Sequence, residues 1–176
     1  MGTYKEVKGN LITLALNGEF DAIGHCANSQ CVMGAGVAVP MRQIFKCNEY
    51  PMEDISTRGD VNKLGQIDWG IHGIKDGNTN GNYLYKGIPK KGYVAVVNMY
   101  GQFHYGKNHL DGVSKPLDYE ALTLCMRKMN KTFKGMRIGF PYVIGCGLAG
   151  GVKEIVIDII KTEFKDCDVT MVDFNE

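Results

Sequence analysis

Apolar and polar positions along the chain fall into short segments whose period switches between strand and helix. Residues 3–9 (TYKEVKG) alternate and read as a strand, and residues 21–28 (DAIGHCAN) carry an apolar strand into a polar turn. Residues 36–45 (GVAVPMRQIF) predict a helix with Pro40 in its first turn, where a missing N–H breaks no helical bond. Residues 93–100 (YVAVVNMY) are rich in valine and predict a buried strand. The clearest helix spans 118–133, where Leu122, Cys125, Met126, Met129 and Phe133 recur at helical spacing, Asp118 is the expected N-cap and Gly135 lies just past the end. Residues 137–144 (RIGFPYVI) predict a strand. Residues 152–164 predict a second helix with Val152, Ile155, Val156, Ile159, Ile160 and Phe164 on one face, and 169–174 (VTMVDF) a closing strand. Residues 70–92, rich in Gly, Asn and Lys, read as a hairpin or long loop joining strands; no domain boundary falls there, because neither side alone completes a sheet. Strands alternating with helices predict an α/β fold with a mixed, mostly parallel sheet, in one domain over residues 1–176.

Composition narrows the function classes. The 176 residues are 44% hydrophobic and 22% charged, which excludes disordered, collagen-like and coiled-coil chains. Twenty basic against nineteen acidic residues leave a formal charge of +1, without the basic excess of an electrostatic nucleic-acid binder. No apolar run reaches the ~20 residues that span a bilayer. The polar start, MGTYKEVKGN, carries no export signal, so a cytoplasmic setting and free thiols are expected for the six cysteines. Glycine is the outlier: 23 residues, nearly twice the usual ~7%.

The excess is expected in loops, and two of them are informative, each expected to follow a strand and precede a helix: His25 to Gly36, and Gly145 to Gly151. Glycines at such junctions let backbone approach a ligand, and the N–H groups of the next helical turn face an anion. In an open α/β sheet, ligands sit at the carboxyl ends of the strands, so two such loops would grip a diphosphate from both sides. The second loop also matches G-x-G-x-x-G (Gly145, Gly147, Gly150), with Asp173 downstream, but only one further strand follows it, which disfavours a dinucleotide-binding fold. Cys26 and Cys31 have no second pair at zinc-like spacing, so no metal site and no cofactor are expected. Asp173 is expected in solvent.

Taken in order, Val7-Lys8-Gly9-Asn10-Leu11, His25-Cys26-Ala27-Asn28, Met33 to Ala38, Asn98 to Gln102, Asp118 to Ala121 and Ile144 to Gly151 resemble the macrodomain family of ADP-ribose-binding modules across nearly the whole chain. The similarity is greatest to the branch of ADP-ribose-1''-phosphate phosphatases and terminal ADP-ribose protein glycohydrolases, and to compact phage-encoded members. The resemblance implies a three-layer α/β/α fold and a ligand of ADP-ribose, ADP-ribose-1''-phosphate or ADP-ribosylated macromolecules, bound by a monomer. It places Gly9, Asn10 and Leu11 beside the adenine, with Asn10 where the family has an acidic residue; an asparagine oxygen accepts a hydrogen bond from the adenine amine without charge. Asn28 falls near the distal ribose. Gly34, Ala35, Gly36 and Val37 form the first phosphate loop, and Gly145, Cys146, Gly147, Leu148 and Ala149 the second. Gln102 is placed to bond a ribose hydroxyl, and Tyr142 to stack on the adenine or ribose edge.

For chemistry, His25 matches a histidine thought catalytic in the phosphatase branch, and an imidazole titrating near 6.5 exchanges protons at neutral pH. The expected reaction is hydrolysis of ADP-ribose-1''-phosphate to ADP-ribose and phosphate, with His25 transferring the proton and Asn28 orienting ribose or water. The glycohydrolase branch uses a lysine and an aspartate; Ala149 stands in the aspartate's place, which argues against that mechanism. Alternatives are an ADP-ribosyl hydrolase acting on protein or nucleic acid, and a non-catalytic ADP-ribose reader.

Overall fold

The structure is a computed structural model; it describes residues 2–34, 36–104, 117–142, 144 and 151–174, with backbone alone at 81–83 and 85. Its elements run β1 (Thr3–Gly9), α1 (Leu11–Leu16), β2 (Ala22–Asn28), α2 (Ala38–Phe45), four short 3-10 turns between Cys47 and Lys63, β3 (Ile67–Lys75), β4 (Asn78–Tyr85), β5 (Tyr93–Gln102), α3 (Tyr119–Thr132), β6 (Arg137–Pro141), α4 (Lys153–Glu163) and β7 (Asp168–Phe174).

A seven-stranded sheet in the order β1-β7-β6-β2-β5-β3-β4 forms the middle layer. From β1 to β5 neighbouring strands are parallel, while β3 pairs antiparallel with β5 and with β4. The carboxyl ends of the parallel strands, at Gly9, Phe174, Pro141, Asn28 and Gln102, therefore share one edge. Residues 70–92 resolve as the rest of β3, a turn at Asp76-Gly77, and β4. Asp76 and Gly77 both have positive φ (55° and 76°), which the turn of a two-residue hairpin requires.

The sheet alternation sorts side chains into two cores. Ala95, Val97, Met99, Ile138, Phe140, Val169 and Met171 pack against α3 and α4. Ile23, Val94, Val96 and Val172 pack against Leu11, Ile12 and Ala15 of α1 and Met41 and Phe45 of α2. Helix α3 is capped by Asp118, whose carboxylate accepts from Ala121 N at 3.0 Å, and Gly135 (φ 82°) follows it. The expected apolar face of α4 is only partly buried: Val156, Ile160 and Phe164 are inside, but Val152 and Ile155 are 47% and 42% exposed. The strand predicted over 137–144 ends at Pro141, with one further bond to β7 from Tyr142 N to Val172 O at 2.9 Å. Among the described residues no helix is long and apolar enough to cross a membrane.

Candidate functional site

A cavity of about 490 Å³ opens at the carboxyl ends of β1, β7 and β6. Its walls are Asn10, Leu11, Ile12, Thr13 and Leu16 on one side, Gly36, Val37, Pro40 and Ile44 on another, and Pro141, Tyr142, Val172, Asp173 and Phe174 along the sheet edge. The walls are mostly apolar with a few polar groups, the usual make-up of a small-molecule site. Phe174 is 66% exposed at the rim. The expectation of Asp173 in solvent is corrected: it is half-buried and lines this cavity, because the end of β7 lies beside the start of α1.

Asn10 reaches the cavity as the N-cap of α1. Its Oδ1 accepts from Ile12 N at 3.0 Å and Thr13 N at 3.1 Å. Two donors saturate an amide oxygen, so the reading that this oxygen receives the adenine amine is corrected. Opposite, α2 begins after Val37 with no side-chain cap, which leaves its first backbone N–H groups without a side-chain acceptor. Gly36 precedes it at φ 61°, a left-handed conformation that favours glycine.

The first loop is held from within. Asn28 is buried; its Oδ1 accepts from Gln30 N (3.1 Å) and Val32 N (3.3 Å), and its Nδ2 donates to Val32 O (2.7 Å). Arg42 of α2 ties down the other end, donating from Nε to Met33 O at 2.9 Å. Asn28 therefore shapes the loop. It lies across from Gln102 in the β2–β5 register, and Ser29 N donates to Gln102 O at 3.1 Å. Gln102 is nearly buried and donates from Nε2 to the backbone oxygen of His104 at 2.9 Å.

His25 does not join them. It is fully buried on the α2 side of the sheet, beside Cys47. Its Nε2 lies 2.6 Å from Asn98 Oδ1, and Asn98 Nδ2 donates to Cys47 O at 3.1 Å. That chain of bonds sets the tautomer: Nε2–H donates, and Nδ1 is a bare, buried acceptor with no partner among the described residues. Burial lowers its pKa to about 4, outweighing the opposing effect of the hydrogen bond that it donates to Asn98. At pH 7 it is neutral and out of reach of a ligand in the cleft, so the expected proton-transfer role for His25 is corrected to a core hydrogen bond.

A second buried polar group lies behind the first loop, and the sequence offered no spacing by which to find it. Tyr100 Oη donates to Glu53 Oε2 at 2.7 Å, Lys63 Nζ donates to Cys31 Sγ at 3.2 Å, and Asp68 Oδ2 accepts from Met52 N at 2.9 Å. Burial raises the Glu53 pKa to about 7, against the Tyr100 bond and the Lys63 charge, which lower it.

At the other rim of the cavity, the ring of Tyr142 carries the Lys153 ammonium 4.1 Å from its centroid, a cation–π contact that occupies one face. Lys153 was not anticipated; its position at the start of α4, just past the second glycine loop, was the available signal. Gly145, Cys146, Gly147, Leu148 and Ala149 of that loop, and Ala35 of the first, lie outside the described residues. Tyr119 Oη accepts from Val152 N at 2.8 Å just beyond the second loop. The described cysteines are free thiols, and among the described residues no three His, Cys, Asp or Glu side chains are grouped to hold a metal.

No protein-family profile matches the chain, and no curated protein does. Solved structures do. A protein of Bacteroides thetaiotaomicron shares 23% identity over 98% of this chain and 99% of its own, with a TM-score of 0.67. The macrodomain of Thermus aquaticus DarG aligns over 100% of both chains at 19% identity and TM-score 0.62. Thermosipho africanus DarTG in complex with ADP-ribose aligns with 91% of this chain and 39% of its own, at 14% identity and TM-score 0.62. The chain has the three-layer α/β/α macrodomain fold. At these identities the likeness is one of fold.

Proposed function

We propose that this protein binds ADP-ribose or a close derivative along the carboxyl edge of its sheet. The observation that carries the reading is the apolar cavity at the ends of β1, β7 and β6, with an aromatic rim at Phe174 and a glycine junction entering α2 beside it. A nucleoside fits the apolar part. The diphosphate then lies against Gly36, Val37 and the uncapped start of α2, where backbone N–H groups and the helix dipole favour negative charge. The distal ribose extends toward Asn28 and Gln102. The fold likeness to a protein solved with ADP-ribose supports the same ligand. Titration calorimetry with ADP-ribose tests it: saturable one-to-one binding is expected, weakened when adenosine alone replaces the full ligand. Absence of binding overturns it.

Hydrolysis at the distal ribose is the second reading, supported by a half-exposed histidine, His104, just past the end of β5. In it, water attacks the phosphorus of ADP-ribose-1''-phosphate, the bond from phosphorus to the ribose oxygen breaks, and that oxygen takes a proton. With His25 buried, the histidine at this edge among the described residues is His104, half-exposed and bonded through its backbone oxygen to Gln102. Release of phosphate that fails in His104→Ala and survives in His25→Gln supports this reading. Turnover of an ADP-ribosylated protein or nucleic acid instead moves the leaving group, not the cleft. Binding without turnover of any of these leaves a reader of ADP-ribosylated partners.

A further inference from the structure

Lys63 is a long cationic side chain that folding takes almost wholly out of water, leaving it 3% exposed. A buried ammonium is costly unless it is bonded. Its Nζ donates to Cys31 Sγ at 3.2 Å, nearer to the sulfur than the two carbonyl oxygens beside it, Asp54 O at 3.6 Å and Met52 O at 4.0 Å. Both partners are fixed by the fold. Cys31 holds a left-handed φ of 60°, and the Asn28 side chain bonds the backbone N–H groups on either side of it, Gln30 N and Val32 N. Lys63 ends a 3-10 turn, with its own N–H on Asp60 O and its carbonyl accepting from Gln66 N. Gly59 N, in the same segment, donates to Ser29 O at 2.7 Å and clamps the turns to the first loop. Access to the thiols is unequal: Cys31 is half-buried and meets solvent, whereas Cys47, Cys125 and Cys167 are buried.

We infer that Cys31 and Lys63 form a redox-dependent cross-link, an S–N (sulfenamide) bond made when hydrogen peroxide oxidises the thiol. In the first step one peroxide oxygen passes to Sγ: the S–O bond forms, the O–O bond breaks, the thiol is oxidised to a sulfenic acid and the peroxide is reduced to water. In the second, Nζ gives one proton to solvent and attacks the sulfur. The S–N bond forms, the S–O bond breaks, and the hydroxyl leaves as water with a second amine proton. A sulfenic acid condenses in this way with a nitrogen already in place, and reacting atoms about 3–3.5 Å apart are poised for attack. Peroxide reaches the partly exposed sulfur, while the buried amine is shielded from it. A thiol reductant reverses the bond by attacking the Cys31 sulfur and releasing the Lys63 amine; a second thiol then frees Cys31 from the mixed disulfide. The cross-link ties the first loop to the turns that precede β3 and needs no ligand in the cleft.

Peptide mapping of the full chain after treatment with hydrogen peroxide, with the remaining thiols alkylated, tests this. The expected product is a pair of peptides joined at Cys31 and Lys63, two hydrogens lighter than the two peptides together, with no tryptic cut after Lys63. Dithiothreitol is expected to restore both peptides. The link is expected to be lost when peroxide is added to the chain unfolded in urea, because only the fold brings residues 31 and 63 together. The melting temperature of the folded chain is expected to rise on oxidation, since a cross-link restricts the unfolded chain, and to fall back on reduction. Cys31→Ser and Lys63→Gln should show neither the link nor the reversible rise. If Lys63→Gln does not fold, the wild-type map and the urea control still discriminate. Oxidation that leaves Cys31 carrying only added oxygens, or joined to another cysteine, with trypsin still cutting after Lys63, overturns the cross-link. So does a link formed equally well in urea.

Discussion

His25→Gln separates a core histidine from a catalytic one. Glutamine places an amide N–H near the position of Nε2, so the bond to Asn98 Oδ1 is retained while the titrating group is removed. The magnitude follows from linkage. The pKa of His25 falls from 6.5 to about 4 on folding because its charged form is desolvated. A depressed histidine pKa means that the unfolded chain takes up the proton first. Stability is therefore complete above the unfolded pKa, 6.5, and is lost as pH falls toward about 4. Between about pH 7.5 and pH 5 the loss from this group is about 2 kcal/mol. His72, whose pKa burial also lowers to about 4, adds a loss of the same sign. Glu53 opposes both: its pKa is raised to about 7, so its destabilising ionisation is relieved over the same acid range. Comparing variant with wild type cancels these two. Urea unfolding at the two pH values should show the His25→Gln protein losing about 2 kcal/mol less than wild type, a difference near 1 M in midpoint. ADP-ribose affinity, per folded molecule, should stay within about twofold. An unchanged difference between the two pH values refutes the buried, neutral histidine. So does loss of ligand turnover in a fully folded variant, since a side chain enclosed by β2, α2 and Asn98 touches no substrate.

Other substitutions test the frame around the cleft. Asn28→Ala removes three hydrogen bonds that shape the first loop; ADP-ribose affinity measured by calorimetry should fall about tenfold or more, with about 1–3 kcal/mol lost in urea unfolding. Phe174→Ala should weaken ADP-ribose binding while leaving the melting temperature within about 2 °C, because this ring is 66% exposed and supports no core. Gly139→Ala would bring a Cβ to 2.7 Å from Phe20 and 2.9 Å from Leu11, so it should cost about 1–3 kcal/mol in unfolding and shift the Leu11 wall of the cavity. Tyr100→Phe strips the donor from Glu53 and should raise the pKa of that carboxyl further, readable by infrared titration of its protonated C=O band.

Much of the architecture was legible in the sequence alone because period and capping are local. The strands at 3–9 and 93–100 and the helices around 38–45 and 119–132 sit where alternation, valine content, Asp118 and Gly135 placed them. Short α1 was missed: its six residues (Leu11–Leu16) offer little more than one turn of pattern, and its stability comes from packing on β6 and β7 and from the Asn10 cap. The ordered motifs likewise pointed to the macrodomain fold and to its carboxyl edge. What only the tertiary structure decided was the state of individual side chains. Strand alternation says that a residue such as His25 faces one side of the sheet, but whether that side holds ligand or core depends on α2 and Asn98 folding over it, contacts far away in sequence. The same holds for Asn10, where the sequence names an amide, but only the start of α1 decides that its oxygen is taken by the backbone. Local chemistry determines which elements form; burial and hydrogen-bond partners, which are long-range, determine what each polar atom is free to do.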